Sequence, residues 1–393
     1  MDRTRARITY GILGGTLCLA AWAATATPRR PAVLPTSDPA PTQTYNLPQQ
    51  VSIPKAPPVV EVVFALDTTG SMNGLIDGAK RKIWSLAQYI ANGQPKPELR
   101  VGLVAYRDRG DAYITRFYDL SGDLDQVFEH LQSFEADGGG DGPEDVNRAL
   151  SDAINKASWT DSQNALKIIY LVGDAPPHDD YTDQMDSKAL ARRAHDRGIH
   201  INTIRCGSDS TTQVAFAKIA NLSSGEYASI EQSGGMRTVV TPYDEKMASL
   251  NARLMGTAIG YGRSGADMRR KVANALAAPA TTAADRASFY GKGSGAVGGD
   301  GDLVKDVADG RVKPESIAAS ELPAEVAAMP APARTAYVAG KMREREEVQQ
   351  EITKLAEERN EYLKKKKPAK SDSLDDKVEG TISRQAASVG VKY

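Results

Sequence analysis

The stretch Val59-Val60-Glu61-Val62-Val63-Phe64-Ala65-Leu66-Asp67-Thr68-Thr69-Gly70-Ser71 decides the fold. Its first eight residues are almost all apolar, as in a strand covered on both faces. The run stops at an acidic and hydroxyl-rich turn. Helical spacing then takes over at Ile76, Ala79, Ile83, Leu86, Ala87 and Ile90. The same alternation continues downstream. Strands are expected at 99–106, 114–118, 166–172, 200–205 and 226–230, with 114–118 a candidate antiparallel strand and 200–205 alternating in polarity. Helices are expected at 73–92, 124–134, 144–157, 185–197 and 214–220. This order predicts an α/β class: a doubly wound, mostly parallel sheet with helices on both faces. Right-handed crossovers bring the C-terminal ends of the parallel strands to one edge, where ligands bind.

Composition narrows the function. Of 393 residues, 49 are Lys or Arg and 50 are Asp or Glu, a net charge of -1. That balance lacks the basic excess of a nucleic-acid binder. An aromatic content of 6% also argues against stacking platforms for single strands. The two cysteines, Cys18 and Cys206, exclude a disulfide framework and a thiolate zinc site.

The flanks differ from the middle. Arg3, Arg5 and Arg7 precede an apolar, small-residue run that ends at Ala24-Thr25-Ala26. Residues 1–26 therefore read as a cleaved export signal or a membrane anchor, which implies a periplasmic or cell-envelope location with a tether at the N-terminus as one form. Residues 27–57 are a proline-rich linker. The alternating domain spans 58–242. A mainly helical C-terminal region spans 243–366, and 367–393 reads as a flexible tail. Within that region, 257–262 is expected as a strand or extended segment, 268–277 as a helix, 291–301 as a glycine-rich loop and 333–366 as one long charged helix. Val338, Arg345, Ile352 and Arg359 share a heptad position, with Val348, Leu355 and Tyr362 at the other. This is a coiled-coil pattern interrupted by two arginines.

Three turns carry the chemistry. Asp67-Thr68-Thr69-Gly70-Ser71 follows the first strand. Gly138-Gly139-Gly140-Asp141-Gly142-Pro143-Glu144-Asp145 opens a helix. Gly173-Asp174-Ala175-Pro176-Pro177 follows the strand at 166–172. All supply hard oxygen donors, which suit Mg²⁺, Mn²⁺ or Ca²⁺ and not zinc or copper. Each turn alone is ordinary loop or capping chemistry. The three together on one strand edge are not. Asp145 and Asp108 read as residues that solvate the rim or cap a helix, and His178 beside Asp179 and Asp180 reads as a loop residue. The tripeptide Arg109-Gly110-Asp111 reads as chance.

Asp67-x-Thr69-x-Ser71 after a VVFAL strand resembles the metal-ion-dependent adhesion site of von Willebrand factor type A domains, and the strand–helix order over 59–242 is similar to that Rossmann-like fold. The resemblance implies a divalent cation bound directly by the Thr69 and Ser71 hydroxyls, and by Asp67 and Asp174 directly or through water. The second loop is similar to that of integrin beta-subunit inserted domains, which have Asp-x-Pro-Glu where many relatives place a threonine. That likeness implies Glu144 as a further ligand. It also implies a second cation at Asp141, Asp108 and Glu144, although Gly139 stands where the integrin loop has an asparagine ligand. A third integrin site is expected to be absent, because Gly74 and Leu75 replace its acidic pair.

The function expected from this reading is non-enzymatic. A cation at the strand edge accepts a Glu or Asp carboxylate from an unidentified protein partner, with no nucleic acid involved. The sequence offers neither a Gly-x-Ser-x-Gly elbow nor a phosphate loop. Two alternatives stay open: a regulatory or scaffold subunit of an envelope assembly with a structural cation, and a metal-dependent hydrolase using the same carboxylates.

Overall fold

The structure, a computed structural model, describes residues 56–140, 142–291, 297, 299–366 and 372–393. The expected export signal, most of the linker, Asp141 and the start of the tail lie outside the described residues.

The deciding stretch forms β1 (Val59–Asp67), every residue after Val59 buried. It is the central strand of a six-stranded sheet. Its neighbours are β2 (Glu98–Tyr106) and β4 (Ala165–Gly173), both parallel to it. β3 (Thr115–Ser121) adds antiparallel to β2, while β5 (Ile199–Cys206) and β6 (Tyr227–Ile230) extend the other side in parallel. The order is β3-β2-β1-β4-β5-β6. The sheet is thus mostly parallel and doubly wound.

Alternate residues of β1 enter two cores. Val63 and Ala65 face α3 (Val146–Asn155), α4 (Ser187–Asp196) and α5 (Ser210–Leu222). Val60, Val62, Phe64 and Leu66 face the other side, under α1 (Asn73–Ala91) and α2 (Leu124–Gln132). Glu61 is the one charged residue among 59–66. It is buried, but Arg100 and the Thr160 N–H satisfy its carboxylate.

That second core does not stop at residue 242. It continues through α6 (Asp244–Met255), α8 (Ala280–Gly291) and α11 (Ala331–Lys366), and residues from Lys55 to Tyr393 form one unit by their contacts. The boundary expected at 242/243 is therefore not a break in packing. α7 (Gly265–Ala277) and α2 meet through Arg270–Glu129 and Lys271–Asp123 ion pairs. A smaller cluster gathers Ile259, Leu303, Val304, Ile317, Leu322, Val326 and Val338, with α9 (Leu303–Ala308) and α10 (Ala324–Ala327) around it. The segment expected as a strand at 257–262 makes a single bridge, Gly260 to Asp302.

Three expectations need correction. The flexible tail is instead, from residue 372 on, a folded element: α12 (Leu374–Gln385) places Leu374, Val378, Ile382 and Ala386 in the main core. Tyr170 in β4 donates to its Val378 carbonyl at 3.2 Å, and Asn202 in β5 pairs with Gln385 at 3.0 Å. The second contact explains the next correction. β5 alternates in sequence but is buried on both faces, because α12 covers its polar side. Third, the heptad seam of α11 is occupied by its own chain. Val338, Val348, Ile352 and Leu355 are buried intramolecularly. Its two arginines are buried in ion pairs, Arg345 with Asp302 at 2.6 Å and Arg359 with Asp244 at 2.7 Å and Asp285 at 2.6 Å.

Candidate metal centre

The site lies where β1, β2 and β4 end. Register places Asp67 beside Tyr106, and Leu66 beside Val172, so Gly173 follows next to Asp67. The Tyr106 ring floors the site and its hydroxyl donates to the Val172 carbonyl. A Cβ on Gly173 would stand 2.3 Å from that hydroxyl and 3.2 Å from Asp67 Oδ2, so only glycine lets the strands close here.

The first loop folds over its own aspartate. Asp67 Oδ1 accepts from the Thr69 N–H at 2.9 Å and from Thr69 Oγ1 at 2.7 Å. Thr69 Oγ1 lies 3.3 Å from Ser71 Oγ. The expected Asp67, Thr69 and Ser71 are thus brought together. The loop is pinned from behind: Arg107, buried, donates to the Thr68 and Glu135 carbonyls. The Gly70 N–H reaches the Gly138 carbonyl, tying the first loop to the second.

The second loop delivers Glu144. Its N–H donates to the Pro176 carbonyl at 3.0 Å and its carbonyl accepts from the His178 N–H at 3.1 Å, so the third loop grips it from both sides. A Cβ on Gly139 would stand 3.2 Å from Thr69 Cβ and 3.9 Å from Glu144 Oε1, so both side chains border Gly139. Asp174 sits on the third loop. Its Oδ2 accepts from Gln232 Nε2 at 2.6 Å, and the same amide reaches the Ser71 carbonyl at 3.3 Å.

The electrostatics say what these side chains would accept. Asp67 is fully buried and Glu144 is 3% exposed. Asp67 Oδ2 and Glu144 Oε2 have no hydrogen-bond partner. Burial, with Asp174 nearby, pushes the Asp67 carboxyl up to about 7. Burial pushes Glu144 up to about 9, helped by Asp67, Asp108, Asp111 and Asp174. Buried carboxylates without donors are costly unless a cation neutralises them. Among the described residues no three Asp, Glu, His or Cys side chains form a ready-made cage. The donor set is mixed, two hydroxyls with carboxylates, and it fits a hard divalent cation.

Of the other expected residues, Asp141 lies outside the described residues. Asp108 is close enough to influence Glu144, but it is engaged elsewhere: the Tyr181 hydroxyl donates to it, and His178 stands beside it. Asp145 caps α3 as expected, accepting from the Arg148 N–H. His178 is more than a loop residue. It is buried, stacked on Tyr181 and bonded through Nδ1 to Asp180 at 2.8 Å. Arg109 is held by Asp145 and Asp183. Gln232, Arg107 and Asp111, whose carboxylate accepts from the Gly139 N–H, were not foreseen. They reach the site from separate segments, and no local motif marks them.

A sequence profile described as "von Willebrand factor A domain" matches residues 61–241. That segment matches the von Willebrand factor A domain family, whose members typically act as metal-dependent interaction modules. The chain is 31% identical over 137 residues to human "von Willebrand factor A domain-containing protein 7", covering 35% of this chain and 14% of that one. It spans at most a fifth of the length of the curated relatives it matches. Among solved structures, it is similar to the SpRpn10 VWA domain, with 15% identity, 46% of this chain and 91% of that one covered, and a TM-score of 0.36. It is also similar to proximal thread matrix protein 1 of the mussel byssus with a zinc-occupied MIDAS motif. There the identity is 12%, the coverage 44% and 42%, and the TM-score 0.35.

Proposed function

We propose that this chain is an exported, divalent-cation-dependent protein-binding module of the cell envelope, not an enzyme. Mg²⁺ fits best, with Mn²⁺ or Ca²⁺ as substitutes, held by Thr69, Ser71 and Glu144 with Asp67 and Asp174 directly or through water. When bound, the cation supplies a Lewis-acidic position for a Glu or Asp carboxylate of a protein partner. The observation that carries the reading is the pair of buried, partnerless oxygens, Asp67 Oδ2 and Glu144 Oε2, on loops that also present two hydroxyls. The integrin-like Asp-x-Pro-Glu loop is supported by Glu144 and Thr69 both bordering Gly139. Export rests on residues 1–26 alone; among the described residues no helix is long and apolar enough to cross a membrane.

Calorimetric titration of Mg²⁺ and Mn²⁺ into the whole chain, wild type beside Asp67→Ala, tests the reading. Saturable binding in the wild type and none in the variant is expected. At a hundredfold excess over Kd the cation should stabilise the wild type by about 2.7 kcal/mol. A folded wild type that binds neither ion would overturn the proposal.

A further inference from the structure

The integrin-like loop implies a second cation at Asp108, Asp141 and Glu144. The structure gives Asp108 different company. Its side chain is buried. The Tyr181 hydroxyl donates to it, 3.0 Å from Oδ1 and 3.1 Å from Oδ2. An atom equidistant from both carboxylate oxygens stands where a bidentate cation would stand. His178 Nε2 lies 3.6 Å from Asp108 Oδ2. The His178 and Tyr181 rings are stacked, 4.2 Å between centroids and 10° between planes. The Arg109 guanidinium also lies against the Tyr181 ring, 3.8 Å from its centroid. The Tyr181 hydroxyl therefore already occupies the position between the two Asp108 oxygens, and Asp108 does not fit a ligand role.

We propose that the Tyr181 hydroxyl stands in for the second ion, so that this face takes one cation, and that Asp108 is a positioning residue for Glu144. The route is continuous. Asp108 anchors Tyr181, and with it the loop 176–181. That loop holds the Glu144 backbone at both its N–H and its carbonyl, through Pro176 and His178. Holding loop 176–181 holds the carboxylate that faces the cation space.

This inference rests on the metal-binding reading above, and the test separates the two. Mn²⁺ is equilibrated by dialysis with the full chain and counted by metal analysis, while calorimetry gives Kd. The wild type should hold one ion. Asp108→Asn and Tyr181→Phe should each still hold one, with affinity weakened about tenfold, the lower range for residues that orient a ligand. The double variant should lose no more than either single one, because both break the same strut. Two ions in the wild type, one of them lost in Asp108→Asn, would overturn the stand-in. One ion with unaltered affinity in Asp108→Asn would overturn the positioning role. No ion in a folded wild type would overturn the metal reading and this one with it. The wild-type count needs no variant to fold.

Discussion

Glu144 and Asp67 are where the residue-scale consequences lie. Both carry protons in the folded, metal-free chain over a pH range where the unfolded chain has lost them. The folded state then binds more protons, so stability falls as pH rises. For Asp67 the window runs from 3.8 to about 7, and for Glu144 from 4.5 to about 9. The stabilising effect is complete below each window and gone above it. In EDTA, Tm should drop by several degrees between pH 5 and pH 9. Glu144→Gln should remove much of that drop and raise Tm at pH 8, while weakening Mg²⁺ binding. A variant that lost cation binding and stability together would contradict this opposition. Added Mg²⁺ should flatten the wild-type profile, because cation binding displaces the protons. The candidate ligands on the first and third loops were legible because each lies within a strand and its turn. Gln232 and Tyr181 were not, since their roles depend on segments far apart in sequence meeting at one edge.

At the scale of elements, the informative helix is α8, which sequence patterning passed over. Residues 282–290 are all buried, so no polar stripe marks an outer face. Its charges are satisfied inside. Arg286 makes two 2.7 Å bonds to Asp125 of α2 and one to Asn251 of α6, under Trp84 and Tyr290. Asp285 meets Arg359 of α11. The two arginines that break the α11 heptad are therefore not defects in a seam. They are the partners of buried aspartates on other elements, and a heptad count sees only one side of each pair. Arg359→Ala strands Asp244 and Asp285 without a cation, and should cost about 3–5 kcal/mol in urea unfolding. Arg270→Ala, which breaks the solvent-exposed and screened pair with Glu129, should cost far less. Equal losses from the two variants would contradict the role assigned to burial.

For the molecule as a whole, the mostly parallel, doubly wound sheet could be read from β1 outward, because βαβ units follow from alternation and handedness. The extent of the core could not. α12 is short and follows a lysine-rich run, yet it fills a gap between α1 and β4 that the α/β segment leaves open. Beyond it, the Lys392 backbone bridges Gln94 and the Tyr393 ring stacks on Tyr89 with centroids 4.8 Å apart. A chain ending at Lys366 exposes that apolar surface. It should unfold at a clearly lower temperature and bind hydrophobic dyes in its native baseline. An unchanged, cooperative transition would show that α12 is dispensable. The placement of α12 also has a meaning in time. During synthesis, β1 through β6 emerge long before Val378, Ile382 and Val391, all of which the main core contains. The nascent sheet therefore waits with one face incompletely covered, and the growing chain can finish its core only after residue 391 has left the ribosome.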